Sequence, residues 1–354
     1  MSRADTLPVP NPAGFARLEK LWARGKAFLG VETPILCGAM SWVSERHLVS
    51  AISNAGGFGI IASGSMTADL LAAEIAATQA LTQKPFGVNL ITLHPQVLEL
   101  VDVCLAHGVS HIVLAGGLPP GAAIEKIKAG GAKLVCFAPA LPLAKKFTRS
   151  GVDAIIIEGS EAGGHIGPVS LNVLAQEILP AIRDIPVFVA GGLGRGDAIA
   201  SYLLLGASGA QLGTRFVCAT ECQAHPNFKQ AFLRGQARDA TASVQLDPRF
   251  PVIPVRALKN NATEAFMQRQ AEIIARVNAG DLDMSAGQLE IEHFWAGALR
   301  RAVIEGDIEN GSVMAGQSVG LVKSEQSAAY IMAELVADAA QLLAGEHVQD
   351  IAAA

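Results

Sequence analysis

Nowhere does this sequence run apolar for the roughly 18 residues that a membrane-spanning helix needs; charge, glycine or proline interrupts every candidate stretch. The opening segment, Met1 to Pro12, is polar and proline-rich, so it lacks the apolar heart of a secretion signal. Both absences point to a cytoplasmic protein with no membrane partner. Basic clusters are also missing. The 27 Lys and Arg residues are scattered, the formal charge is -5 and the pI is about 5.9, so no face is offered to nucleic acid. A small-molecule substrate is the expectation.

Cysteine is scarce, and its five copies (Cys37, Cys104, Cys136, Cys218, Cys222) fall mostly in apolar runs. An odd number in a long chain argues against a disulfide framework and for buried free thiols. Cys218 and Cys222 lie near His225, but no second ligand pair follows at zinc-site spacing, so no metal site is expected. His47, His94, His107, His111, His293 and His347 stand outside any H-E-x-x-H frame, and there is neither a G-x-S-x-G elbow nor a P-loop.

What is present is apolar bulk, 51% of 354 residues, enough for one large core with or without an appendage. From Pro34 to Phe216 a short run of Val, Ile or Leu repeatedly ends in Gly or a polar residue and gives way to a helical stretch. The spacing predicts eight strands: Pro34 to Cys37, Gly59 to Ala62, Gly87 to Ile91, His111 to Leu114, Lys133 to Phe137, Ala154 to Ile157, Val187 to Ala190 and Ala210 to Leu212. Their apolar runs are continuous, as in parallel strands covered on both faces. Eight such units make an α/β fold, a (β/α)8 TIM barrel. Gly57, Gly59 and Ala62 match G-x-G-x-x-A, but they enter a strand instead of leaving one, which argues against a dinucleotide-binding open sheet.

The rhythm stops after the eighth strand. The expected organisation is an N-terminal extension (1–30), the barrel (31–220), a helical lid or insertion (221–310) and a C-terminal segment packing back on the barrel (311–354).

Chemistry in such barrels comes from the loops at the C-terminal ends of the strands. After the seventh strand comes Ala190-Gly191-Gly192-Leu193-Gly194, and after the eighth Gly213-Thr214-Arg215. Either these are tight turns that need positive φ, or their amides cradle a phosphate, and their pairing after strands seven and eight favours the phosphate. The loop after strand six reads Glu158-Gly159-Ser160-Glu161-Ala162-Gly163-Gly164-His165. His165 is its one imidazole, set among small residues that leave room for a flat ring, and able to carry a proton near neutral pH. The alternative is a structural histidine satisfied by backbone. Gly38-Ala39-Met40 after strand one would let amides meet the edge of a heterocycle. Asn89 can donate and accept toward one, or can simply cap its strand.

Taken together, Pro34-Ile35 with Gly38-Ala39-Met40, Ser53-Asn54-Ala55-Gly56-Gly57, Lys84 to Asn89, Glu161-Ala162-Gly163-Gly164-His165, Ala190-Gly191-Gly192 and Gly213-Thr214-Arg215-Phe216 resemble the nitronate monooxygenase superfamily. That superfamily includes the FMN-dependent enoyl-acyl-carrier-protein reductases. The resemblance spans about Pro34 to Val322. Gly164-His165-Ile166-Gly167, Arg256 to Asn260 and Gly311 to Gln317 are closer to the reductase branch, since nitronate monooxygenases more often carry Arg where this chain has Ile166. The loop His111 to Pro120 matches neither branch.

The resemblance implies an enzyme with non-covalent FMN. It places Gly191, Gly192, Gly213 and Thr214 around the phosphate, Gly38, Ala39, Met40, Asn89 and Glu158 nearer the ring or ribityl chain, Gly164 beside the cofactor, and His165 as the catalytic residue. It implies NADH or NADPH as electron donor and an enoyl thioester, free or on an acyl carrier protein, as substrate. A monovalent cation on carbonyls of Ser312 to Met314 and a homodimeric assembly also belong to the expectation. Alternatives on the same scaffold are oxidation of alkyl nitronates with O2 and NAD(P)H:quinone reduction. Outside the flavin class stands a barrel that binds a phosphorylated metabolite through the same loops.

Overall fold

The computed structural model describes residues 6–345; residues 1–5 and 346–354, His347 among them, lie outside the described residues. Eight parallel strands form the barrel: β1 (Ile35–Cys37), β2 (Gly59–Ala62), β3 (Phe86–Ile91), β4 (His111–Ala115), β5 (Lys133–Phe137), β6 (Ala154–Glu158), β7 (Val187–Ala190) and β8 (Gly209–Leu212). From β2 to β8 each strand pairs with the next, and β8 pairs with β1 through Ala210 opposite Ile35. The ring closes at Phe58, whose amide donates to the Ile35 carbonyl at 3.0 Å and whose carbonyl accepts from the Cys37 amide at 2.9 Å.

The apolar strands split by period two into two cores. Ile155, Ile157, Val187 and Val189 pack outward against the helices, while Leu36, Phe58, Ile60, Val113, Val135, Ala154, Ile156, Phe188 and Ala190 fill the lumen. Both faces are buried, so neither needs polar residues, and the strands read as unbroken runs. All five cysteines are buried free thiols, and burial pushes Cys37, Cys104, Cys136 and Cys218 up to about 12.

Two helices precede the barrel, Pro12–Leu21 and Ala23–Leu29. The second ends at Gly30 in the left-handed conformation and directs Phe28, Leu29 and Val31 onto the lumen cluster, plugging the barrel at the N-terminal ends of its strands. There the Phe28 carbonyl accepts a hydrogen bond from His111 Nε2 at 3.0 Å, and Ser110 faces Nδ1 at 2.9 Å. The first helix packs on the C-terminal helix, Ala328–Ala344.

Beyond β8, helices Asn261–Ala279 and Met284–Glu305 make up the segment expected as a lid, with Phe250, Val255, Phe266, Ile273, Ile291 and Trp295 as its own core. The expected helical insertion also carries strands: Val255–Leu258 pairs antiparallel with Ala240–Ala242 on one side and with Gly164–His165 on the other. This ribbon ties the lid to the loop after β6. Among the described residues, no helix is long and apolar enough to cross a membrane.

Candidate active site

The strands all run the same way, so the loops after β1, β6, β7 and β8 gather at one barrel mouth, opposite the Phe28 plug. Extending the lumen alternation by one layer places Gly38, Asn89, Glu158 and Gln211 on inward positions at this end.

A buried hydroxyl shapes the β1 loop. Ser44 donates through Oγ to the Gly38 carbonyl at 2.8 Å and accepts from the Met40 amide at 3.0 Å. This tight arc carries Trp42 at φ 67, the one non-glycine with positive φ among the described residues, and leaves its indole N–H buried without a partner. Met40 reaches across to β8: a Cβ on Gly213 would lie 3.3 Å from its sulfur. Gln211 on β8 is buried with its amide beside Gly38. Asn89 is buried on β3; its backbone carbonyl accepts from the Ser63 hydroxyl at 2.6 Å, and its carboxamide makes no hydrogen bond among the described residues.

Glu158 ends β6 opposite Ala190. Its side chain is half-buried, the carboxyl makes no hydrogen bond among the described residues, and burial pushes it up to about 8. At pH 7 it is largely a neutral acid, able to donate. Glu161, three residues on, has a different task. Its Oε2 accepts from the Leu171 amide at 3.0 Å, capping the helix Leu171–Ile178. Its carbonyl accepts from the Gln317 amide at 2.9 Å.

The two glycine loops have the form of a cradle. Gly191 and Gly192 hold φ of 92 and 71, and a Cβ on Gly191 would come within 2.8 Å of the Gly159 carbonyl oxygen. No other residue fits there without displacing the β6 loop. Gly213 precedes the one-turn helix Thr214–Val217, which has no side-chain cap, so its first amides have no intrahelical partner. Thr214 accepts through Oγ1 from the Gly316 amide at 3.0 Å, locking the 311–317 stretch against the mouth. Arg215 turns away: its guanidinium is buried and bound to Gln326 at 2.5 Å and Glu334 at 2.6 Å. Free amides, glycines that a Cβ would crowd and an unpartnered neutral acid fit a phosphate-bearing cofactor whose polar groups reach into the mouth.

His165 lies on the ribbon that follows the β6 loop. Gly164 takes φ 77, His165 pairs with Val255, and the Ile166 amide donates to the Pro254 carbonyl at 2.9 Å. Its ring is about two-fifths exposed, with Nε2 3.1 Å from Glu292 Oε2 on the second lid helix. Arg256 braces the ribbon by donating to the carbonyls of Ser160 at 3.0 Å and Ala240 at 2.5 Å. Asn260 donates to the carbonyls of Ile308 at 2.6 Å and Gly311 at 2.8 Å, which anchors the 311–317 stretch. Of the carbonyls foreseen for a cation, that of Val313 accepts from the Leu258 amide. A groove of about 470 Å³ runs beside the mouth, sharing Glu161 and Gly192 with the loops after β6 and β7 and lined on its outer wall by Gln236, Gln317, Leu321 and Lys323.

Three residues of this mouth escaped the sequence reading. Gln211 had a signal, a polar residue inside an apolar strand. Trp42 and Glu292 had none, because a strained φ and a lid-to-rim contact are products of tertiary placement.

Against known proteins, the family model described as nitronate monooxygenase matches residues 23–101 and 96–338. A (3aS,4S,5R,7aS)-5-hydroxy-7a-methyl-1-oxo-octahydro-1H-indene-4-carboxyl-CoA dehydrogenase of Rhodococcus jostii is 31% identical, covering 88% of this chain and 94% of its own. A probable nitronate monooxygenase of Staphylococcus saprophyticus is 27% identical over 86% of this chain and 94% of its own. Among solved structures, FabK from Thermotoga maritima superposes with a TM-score of 0.81 at 34% identity, covering 91% of this chain and 97% of that one.

Proposed function

The chain belongs to the nitronate monooxygenase family of flavin oxidoreductases, and from that premise we propose that it is an FMN-dependent reductase of the C2–C3 double bond of an enoyl thioester, driven by NADH or NADPH. The observation that carries the reading is the rim itself: one imidazole, His165, on the ribbon that leaves the β6 loop, whose Gly159 abuts the glycine turn of the amide cradle. Bound FMN would supply hydride transfer, which no side chain here can perform. The amides of Gly191, Gly192 and the first turn after Gly213 hold its phosphate, while Asn89, Gln211 and neutral Glu158 offer polar contacts deeper in the mouth. His165 delivers the proton that completes saturation of the thioester at the α-carbon. The thioester class is supported by the Rhodococcus relative, named for a carboxyl-CoA, and by FabK, which fits the enoyl-reductase branch.

Ile166 weighs against a nitronate substrate. It is buried and its amide is held by Pro254, so it places no cation at the rim for an anionic substrate. The guanidinium of Arg256, which pairs with Gly164 on the ribbon, is committed to two carbonyls. The test is an absorption spectrum of the purified protein followed by anaerobic mixing. Flavin that is bleached by NAD(P)H and recoloured by a trans-2-enoyl-CoA supports the reading. Flavin bleached only by an alkyl nitronate replaces it with the oxygenase, and a colourless protein that binds no FMN ends it.

A further inference from the structure

The one polar partner of the His165 ring among the described residues lies outside the barrel, 127 positions along the chain at Glu292. Neither side chain is forced there by burial, since each is about two-fifths exposed. Glu292 is aimed by its neighbours: Ile291 and Trp295 on the same helix are packed into the lid core, which fixes the rotation of the helix about its axis. Eight residues further, the Arg300 guanidinium lies 5.8 Å from the centre of the Trp42 ring. At 1.5 Å per residue, Glu292 and Arg300 stand about 12 Å apart along the helix. The loops they touch follow β6 and β1, three strand spacings or about 14 Å apart around the ring. One helix therefore bridges the mouth and reaches both rim loops at once.

We infer that Glu292 is the positioning residue of His165: it holds the imidazole by Nε2, so that the ring is set for proton delivery only when the lid helix is seated across the β6 and β1 loops. The inference rests on the reading of His165 as the proton donor. Stability does not explain the contact, because even a fully charged pair this exposed contributes only about 0–1 kcal/mol. Orientation of the ring does, because a general acid works only when its donor atom is held within hydrogen-bonding reach of the acceptor.

The experiment uses the flavin-loaded enzyme and compares Glu292→Ala, Glu292→Gln, His165→Ala and the double variant. Two readouts are followed: the rate at which enoyl-CoA reoxidises the reduced flavin, and the rate at which diethyl pyrocarbonate modifies His165, measured by mass spectrometry of its peptide. Glu292→Ala should keep flavin content and melting temperature, leave the NAD(P)H half-reaction unchanged, and slow reoxidation at least 10-fold. Glu292→Gln, which still offers an acceptor oxygen, should recover most of that loss. The double variant should be no slower than His165→Ala. Nε2 freed of its carboxylate should be modified several-fold faster. Losses that multiply in the double variant, or a modification rate that Glu292→Ala leaves unchanged, overturn the positioning role. If His165→Ala turns over like the wild type, it is the proton-donor reading that falls, while the modification rate still reports whether Glu292 holds the ring.

Discussion

Gly14 and Ala340 are in backbone contact: a Cβ on Gly14 would fall 1.7 Å from the Ala340 carbonyl oxygen. Gly196 meets the same C-terminal helix in the same way, its hypothetical Cβ 1.9 Å from the Leu335 carbonyl oxygen. Neither clash can be relieved by a side-chain rotation, since the obstacle is helix backbone. Gly14→Ala and Gly196→Ala should each cost about 1–3 kcal/mol and lower the melting temperature by several degrees. Gly121→Ala, which has open space around its Cβ, is the matched control and should leave stability unchanged or raise it. Thermal melts of the three variants decide the point; equal melting temperatures would mean that the terminal helices do not pack as described.

The barrel was legible because a parallel strand buried on both faces writes itself as an unbroken apolar run. Each of the eight predicted strands differs from its observed counterpart by one residue at one end or not at all. Gly164–His165 wrote no such signal, since two residues have no periodicity and their partner strand begins at Val255. The plug was equally silent: Phe28 enters the lumen by virtue of where its helix ends, a fact held in the φ of Gly30 rather than in the pattern. Residue types drew attention to the glycine loops after β7 and β8 and to His165, but a contact such as Glu292 with His165 depends on how the two long helices after β8 lie over the rim, which composition and spacing do not encode.

Gly191 combines a φ of 92 with a Cβ position 2.8 Å from the Gly159 carbonyl oxygen, so alanine there strains its own backbone and pushes the β6 loop away from β7. Because the proposed phosphate contacts are amides of this turn, the displacement acts on cofactor binding directly. Gly191→Ala should purify with at least a 5-fold lower ratio of flavin absorbance to protein absorbance than the wild type. Full flavin occupancy in the variant would remove this turn from the cradle.

His111 joins the plug to β4, and burial holds its imidazole below the ordinary value of 6.5. The unfolded chain therefore takes up a proton near pH 6.5 that the folded chain resists, so stability is full above that pH and falls as the pH drops below it. The slope approaches about 1.4 kcal/mol per pH unit until the folded imidazole itself titrates. Between pH 7.5 and 5.0 the wild type should lose several degrees of melting temperature beyond the loss of His111→Gln, whose amide can still donate to Phe28. Parallel melting curves for the two proteins across that range would show that His111 carries no such linkage.

Glu158 runs the opposite way. Its carboxyl is pushed up to about 8 from an ordinary 4.5, so between those pH values the folded chain holds a proton that the unfolded chain has released. Stability thus declines as the pH rises from 4.5 toward 8 and is level beyond it, the full penalty being that of an ionised carboxylate with no partner. Glu158→Gln keeps the shape and a donor without the ionisation. In flavin-free protein it should melt several degrees above the wild type at pH 8.5 and alongside it at pH 5. With flavin bound, the variant should keep its cofactor at pH 6.5, where Glu158 is already a neutral donor. A gap in melting temperature that is the same at both pH values would show that Glu158 ionises freely, and that the carboxyl is far better solvated than its burial implies.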